Sequence, residues 1–374
     1  MTAHLHRQPT GPVPRVDRTS TVACFGPNWF ASVMGTGIVA VAAAGLPVTV
    51  SGMSVFATVM WAVASALLLA VTAATVAHWI AHPAVARGHL DDPVMAHFYG
   101  APAMALMTVG AGTLVVGHRV VGAAVALVVA WVLWTAGTAL GLVTAVVVPF
   151  RAISTHRTGP ESAFGGWLMP VVPPMVSAAT GAALVPHLPV GQARETMLVL
   201  CLMFVGLSML CSLVVISMIW SRLLHHGIGS PAAVPTLWIV LGPLGQSITA
   251  TSLLAAAAPA VVGDEHRAVC EALALAYGIP VLGFALLWLA LVGAVTARTA
   301  RSGLPFSLTW WSFTFPVGTL ITGTSCLTAT TGNGMLALLA VVLFAALVLA
   351  WTVVATRTLG GMLSGALLRA PRQA

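Results

Sequence analysis

Long apolar segments constrain the fold of this chain more than any other feature of its sequence. A transmembrane helix needs about 20 apolar residues to cross the hydrocarbon core of a bilayer. Ten such runs are bounded by charged residues or by proline and glycine clusters, and they cover residues 27–45, 53–80, 100–117, 120–148, 167–186, 196–220, 236–258, 268–295, 309–328 and 334–356. They are too long for the strands of a membrane barrel and do not alternate in polarity. The sequence therefore predicts an all-α polytopic membrane protein with ten transmembrane helices.

Charged residues are too scarce to cover a surface that faces water. Of the 374 residues, 59% are hydrophobic and only 6% are charged, whereas a soluble domain carries about 25% charged residues. The 15 cationic residues are all arginines, and they stand singly or in pairs between apolar runs rather than in one basic patch. This composition excludes a soluble enzyme, a nucleic-acid-binding protein and a disordered chain. It predicts that the lipid bilayer surrounds the protein and that nucleic acid is not a partner.

The two ends of the chain differ in composition from the apolar part between them. Residues 1–24 are polar and rich in Pro, Arg and His, which predicts a disordered N-terminal tail. Residues 25–356 are predicted to form one ten-helix transmembrane domain, and residues 357–374 a C-terminal tail. An alternative is a signal peptide that includes the first apolar run, but the bulky Trp29 and Phe30 do not suit such a segment.

The arginines are divided unequally between the two sides of a ten-helix protein. The side of the N-terminal tail holds 12 of them and the opposite side three. The larger set comprises Arg7, Arg15, Arg18, Arg87, Arg151, Arg157, Arg222, Arg298, Arg301, Arg357, Arg369 and Arg372. The smaller set comprises Arg119, Arg194 and Arg267. Because loops rich in Arg face the cytoplasm, the sequence predicts a multi-pass protein of the inner or plasma membrane with both termini cytoplasmic.

The spacing of the apolar runs indicates an internal repeat. The odd-numbered runs begin near residues 27, 100, 167, 236 and 309, at intervals of 73, 67, 69 and 73 residues. Such regular spacing predicts five copies of a helical hairpin. With the first helix of each hairpin inside and the second outside, the five copies would surround a central pore.

The distribution of prolines indicates that the odd-numbered helices occupy the inner positions. The prolines inside these runs are Pro102, Pro170, Pro173, Pro174, Pro243 and Pro316. An interior proline kinks a helix, and the freed carbonyl is tolerated where it meets protein or a water-filled cavity. The alternative is that proline is simply common in membrane helices. We predict that Pro102, Pro173, Pro174, Pro243 and Pro316 kink the inner helices beside the pore.

Polar side chains of the odd-numbered helices are candidates for lining that pore. They include Asn28, Thr36, Gln246 and Thr319. A single Ser or Thr hydroxyl can instead bond the carbonyl four residues earlier in its own helix, whereas the amide of Gln246 should meet another helix or the pore. Asp, Glu and Arg are absent from the centre of every predicted span. This pattern predicts a weakly binding pathway for a small solute, with an anion favoured by helix ends and hydroxyl groups.

Residues that carry catalysis or bind metals do not form a recognisable pattern. His78 and His82 lie four residues apart near His89, a spacing that could serve a metal. The favoured interpretation is a solvated loop with histidines at the helix end. The five cysteines contain no CxxC pair and are typical of buried apolar positions. We therefore expect no enzyme activity, no cofactor and no metal site.

Four motifs carry a resemblance to a known family. They are Pro27–Phe30 with Met34–Gly37, Trp167–Pro170 with Val172–Pro174, Gly242–Gln246, and Trp310–Trp311 with Phe315–Thr319. In this order and spacing they resemble the tellurite-resistance/dicarboxylate transporter family, which includes malate permeases, sulfite exporters and slow anion channels. The similarity covers about residues 24–356.

The resemblance implies an architecture and a gate. It implies ten helices arranged as five hairpins around a pore, in a homotrimer with one pore in each subunit. In channel members of the family, a Phe just before the Pro of the ninth helix closes the pore, and Phe315 matches that position. Phe313 is a competing candidate two residues away.

The resemblance also implies an inner-membrane transporter or channel for small anions. C4-dicarboxylates such as malate, or related oxyanions, are the first expectation. A sulfite or tellurite-related exporter that confers resistance is the alternative. A membrane-embedded enzyme or receptor is a third class, but it would need buried acid–base pairs or metal ligands, and none of the predicted spans offers them.

Overall fold

The computed structural model describes residues 24–156 and 158–368, and every regular element within these ranges is helical. This part of the chain contains ten α-helices of ten or more residues. In chain order they are α1 Phe30–Ala44, α2 Met53–Ala81, α3 Gly100–Gly112, α4 Ala123–Ser154, α5 Pro173–Ala182, α6 Gln192–His226, α7 Leu241–Ala257, α8 Arg267–Ser302, α9 Phe315–Thr331 and α10 Gly334–Leu363. The predicted all-α class is confirmed. The predicted N-terminal tail lies outside the described residues.

The number of membrane crossings is supported only in part. In the described ranges, eight helical segments are long and apolar enough to span a bilayer. The exceptions among the predicted spans are α5, with 10 residues, and α9, with 17. The count of ten transmembrane helices therefore stays a prediction.

Each inner segment begins with a short 3-10 helix that leads into the α-helix. These 3-10 helices are Pro27–Trp29, Met95–Tyr99, Gly165–Leu168, Pro231–Val240 and Leu308–Phe313, and they precede α1, α3, α5, α7 and α9. The same two-part construction in all five odd-numbered segments agrees with the repeat inferred from spacing.

The prolines mark the starts of these α-helices and do not kink their middles. Pro173 is the first residue of α5, Pro316 the second of α9, and Pro102 and Pro243 the third of α3 and α7. The proline ring fixes φ near the helical value, so proline is accommodated best in the first turn of an α-helix. The expectation of prolines in helix interiors is corrected accordingly: in the described segments these prolines stand within the first three residues of their α-helices.

The odd-numbered helices form a closed inner ring. Helix α1 packs on α3, α3 on α5, α5 on α7, α7 on α9, and α9 returns to α1. The even-numbered helices lie outside this ring: α2 packs on α1, α4 on α3 and α5, α6 on α5 and α7, α8 on α7 and α9, and α10 on α9 and α1. In the spans that contain α1, α3 and α7, 72–83% of the most apolar stretch is buried, against 28–33% in the five even-numbered helices. The predicted inner and outer layers are confirmed.

Tryptophan side chains join the outer helices to the inner segments. Buried indole N–H groups require a hydrogen-bond acceptor, particularly where lipid offers none. The acceptors come from the inner segments in four cases: Trp61 donates to Thr113, Trp134 to the carbonyl of Ser177, Trp288 to the carbonyl of Leu237, and Trp351 to Thr36. These bonds hold α2, α4, α8 and α10 at defined positions on the ring.

Candidate transport pathway

Two cavities lie at the centre of the ring, and each is lined by residues from all five inner segments. The larger has a volume of about 110 Å³, and its wall includes Ile38, Thr108, Thr180, Gln246 and Thr322. The smaller has a volume of about 20 Å³, and its wall includes Met34, Met104, Val172, Gly242 and Pro316. The two cavities therefore mark the centre of the ring as the candidate pathway.

Phe315 separates the two cavities. Among the described residues, it is the only one that lines both. It is the first residue of α9 and is only 3% exposed. Its backbone position is set on one side by the Leu308–Phe313 3-10 helix and on the other by Pro316. The apolar benzyl side chain thus lies between the two cavities.

Phe313 lies away from the ring axis. Its ring packs edge-on against Trp238, with centroids 5.2 Å apart, and against Trp310, at 5.8 Å. It lines a separate apolar cleft that includes Leu289 of α8 and Leu343 of α10. Of the two phenylalanines proposed from the sequence, Phe315 alone borders the central cavities.

Two predicted pore-lining threonines lie in contacts between helices. The hydroxyl of Thr36 donates to the carbonyl of Ser32 at 2.7 Å and accepts from the Trp351 indole at 3.0 Å. The hydroxyl of Thr319 donates to the carbonyl of Pro316 at 2.7 Å and lies 3.2 Å from the carbonyl of Gly242 on α7. Both threonines are fully buried and line neither central cavity. Their role in this geometry is to join neighbouring helices.

The remaining predicted residues fall into two groups. Gln246 lines the larger cavity and Pro316 the smaller. The others line neither central cavity: Asn28, Pro102, Pro173, Pro174 and Pro243. Sequence reasoning missed Met34 and Met104, which face the smaller cavity. Each is the fifth residue of its helix, so an alignment of the repeats at their helix starts could have found them.

The walls of the two cavities carry no formal charge within the described residues. The smaller cavity is bounded by the first turns of α1, α3, α7 and α9 and by Val172, which directly precedes α5. The N-terminus of a helix carries a partial positive charge. In α1, α3 and α7 the first N–H group bonds a carbonyl of the preceding 3-10 helix, so the cavity is bounded by helix starts but, among the described residues, by no fixed charge.

The histidines between α2 and α3 lie beside the ring. The rings of His78 and His89 stack with centroids 5.3 Å apart. Burial of the loop residue His89 lowers its pKa, and the neighbouring His78 lowers it further. Across residues 24–156 and 158–368, no group of three His, Cys, Asp or Glu side chains is placed to hold a metal ion.

Comparisons with known proteins point to one family. The family model described as voltage-dependent anion channel matches residues 24–359. An uncharacterized transporter of Methanocaldococcus jannaschii is 27% identical over 79% of this chain and 82% of its own length. A sulfite efflux pump of Arthroderma otae is 25% identical over 83% of this chain and 84% of its own. A second uncharacterized transporter of M. jannaschii is 24% identical over 94% of this chain and 98% of its own.

Proposed function

Because the chain belongs to the voltage-dependent anion channel family, we propose that it conducts small anions passively through the centre of the helix ring, with Phe315 as the gate. The observation that carries this proposal is the position of Phe315 between two uncharged cavities. A hydrophobic constriction of this kind can close a pathway by excluding water. We assign the protein to transport rather than to catalysis.

The uncharged lining supports passive conduction rather than proton-coupled transport. Pumps and proton-coupled carriers usually place ionisable groups near the middle of the membrane. Both central cavities are free of Asp, Glu, Lys and Arg in the described part of the chain. Partial charges at helix ends attract an anion weakly, and weak binding allows the ion to leave again.

A small oxyanion such as hydrogen sulfite suits this pathway better than malate. The sulfite efflux pump relatives support a sulfite-like solute. A dicarboxylate carries a second charge, and desolvating that charge is costly where no Arg is present to pair with it. The larger cavity, at about 110 Å³, also favours a compact ion. Malate, the first expectation from sequence, thus becomes the second candidate.

Flux measurements on proteoliposomes test the substrate. We expect sulfite to move down its gradient about tenfold faster than malate, which corresponds to a barrier difference of about 1.4 kcal/mol. Protein-free liposomes of the same lipid composition supply the background rate. Malate flux equal to or above sulfite flux would reverse the substrate assignment, and flux of neither anion above background would contradict the proposed function.

The arginine distribution supports a cell-membrane protein with both termini in the cytoplasm. Arg151 at the end of α4 pairs with Asp91 of the α2–α3 connection, as expected if both lie on the same side of the membrane. Fusion of a fluorescent protein and of a periplasmic phosphatase to the C-terminus tests the orientation. A fluorescent but phosphatase-inactive pair of fusions is expected, and the opposite pattern would contradict it. We also propose a homotrimer with one pathway in each subunit, which the mass of the solubilised protein tests.

A further inference from the structure

The side chain of Gln246 borders the larger central cavity, and its amide has no hydrogen-bond partner among the described residues. Gln246 is the sixth residue of α7, is only 6% exposed, and lines the larger central cavity. Within residues 24–156 and 158–368, its amide makes no hydrogen bond with another group of the protein, and the space it can reach is the cavity. An amide that borders a cavity without a protein partner is hydrogen-bonded by water or by another occupant of that cavity. Because Gln246 lines the candidate path of the solute, a solute that enters the cavity can replace water as the partner of this amide.

Other polar side chains of this cavity already donate their hydrogens to acceptors within the protein. The hydroxyl of Thr108 donates to the carbonyl of Met104 at 2.7 Å, and that of Thr180 donates to the carbonyl of Val176 at the same distance. The indole N–H of Trp134 donates to a carbonyl of α5 at 2.9 Å. A hydroxyl has one hydrogen to donate. These two threonines therefore turn only acceptor lone pairs toward the cavity, which do not attract an anion.

The hydroxyl groups of Thr249 and Thr322 also use their hydrogens in bonds within the protein. The oxygens of Thr249 and Thr322 lie 2.8 Å apart. The Thr249 oxygen is also 3.1 Å from the carbonyl of Gly245, and the Thr322 oxygen 2.9 Å from the carbonyl of Thr319. One hydroxyl can donate to the other while the second donates to a backbone carbonyl, and both hydrogens are then used. The two N–H donors of the Gln246 amide remain uncommitted.

We propose that the Gln246 amide is a hydrogen-bond subsite for oxyanions in the larger cavity. The electrostatic effect of a helix N-terminus falls off within its first turn, so an anion that has passed Phe315 needs another donor. An oxygen of sulfite or of a similar oxyanion accepts strongly from an amide N–H, whereas a large halide such as iodide accepts weakly. The subsite therefore selects oxyanions over iodide. This inference rests on the proposed anion transport.

Substitution of Gln246 tests the subsite through selectivity. The permeability ratio of sulfite to iodide is measured on purified, reconstituted protein for the wild type, Gln246→Leu and Gln246→Met. A hydrogen bond to a charged group contributes about 1.5–3 kcal/mol, so we expect the ratio to fall by about tenfold or more in both variants. Gln246→Glu places a negative charge in the cavity and should reduce the flux of both anions.

A glutamine outside the pathway provides the matched control. Gln192 lies exposed at the start of α6, and Gln192→Leu should leave the ratio unchanged. Melting curves identify any variant that fails to fold, and Gln246→Met replaces Gln246→Leu in that case. If a folded Gln246 variant keeps the wild-type permeability ratio of sulfite to iodide, the proposed subsite is contradicted, whereas the proposed anion transport is not. A wild type that carries neither anion would overturn the proposed function and the subsite together.

Discussion

Replacing Phe315 with alanine is expected to raise anion flux through the reconstituted protein by about tenfold or more. A tenfold increase corresponds to a transport barrier that is lower by about 1.4 kcal/mol. The Phe315 side chain separates the two central cavities, and truncation to a methyl group joins them. The apolar constriction that excludes water is then lost. Flux of sulfite or nitrate into proteoliposomes, measured at equal protein content, gives the change directly.

Phe313→Ala is the matched control for the gate. Phe313 is the same type of residue, lies two positions away, and packs against Trp238 and Trp310 in the cleft between α8 and α10. We expect its truncation to leave flux near the wild-type value. Phe315→Leu should give an intermediate flux. Equal flux in wild type and a folded Phe315→Ala variant, or a larger increase in Phe313→Ala, would reject Phe315 as the gate.

Replacing Gly245 with alanine is expected to destabilise the inner ring strongly. A Cβ atom at Gly245 would lie 2.4 Å from the backbone nitrogen of Leu320 and 2.5 Å from the backbone carbonyl carbon of Thr319. Backbone atoms of a packed helix cannot move aside as a flexible side chain can, so α7 and α9 must separate. Overpacking costs about 1–3 kcal/mol and occasionally more. We expect a clearly lower melting temperature in detergent.

Gly206→Ala is the control for this substitution. Gly206 lies in the middle of α6, and a Cβ atom there would have nothing within 4 Å. Alanine favours a helix over glycine by about 1 kcal/mol, so the control should melt at or above the wild-type temperature. A Gly245→Ala protein that melts with the wild type would show that α7 and α9 do not approach as closely as described.

The helical layers could be predicted because lipid imposes simple rules on sequence. Run length follows from the thickness of the bilayer, and a repeated spacing follows from repeated hairpins. The 3-10 helices were not predictable in this way, since hydrophobicity alone does not distinguish a 3-10 helix from an α-helix. Segment five shows the difference: the apolar run 167–186 suggests one long helix, but α5 begins only at Pro173.

The pathway residues were predictable only where chemistry sets a residue apart. Gln246 stood out because its amide cannot be satisfied within its own helix, and it lines the larger cavity. Thr36 was misplaced because its partner, Trp351, lies 315 residues away in the chain, and no local pattern reveals such a contact. Met34 and Met104 carry no polar signal at all. Phe315 was predicted as a gate only from the family resemblance. From the sequence alone, a Phe beside a Pro is usually a packing residue.

The reversal potential of the purified wild-type protein tests the central claim most directly. In a bilayer that separates two concentrations of one monovalent salt, an anion pathway shifts the zero-current voltage toward the equilibrium potential of the anion. We predict that shift, because the chain belongs to an anion channel family and the described walls of the pathway carry no acidic group that would favour a cation. A shift toward the equilibrium potential of the cation, or no current above that of a protein-free bilayer, would contradict the account.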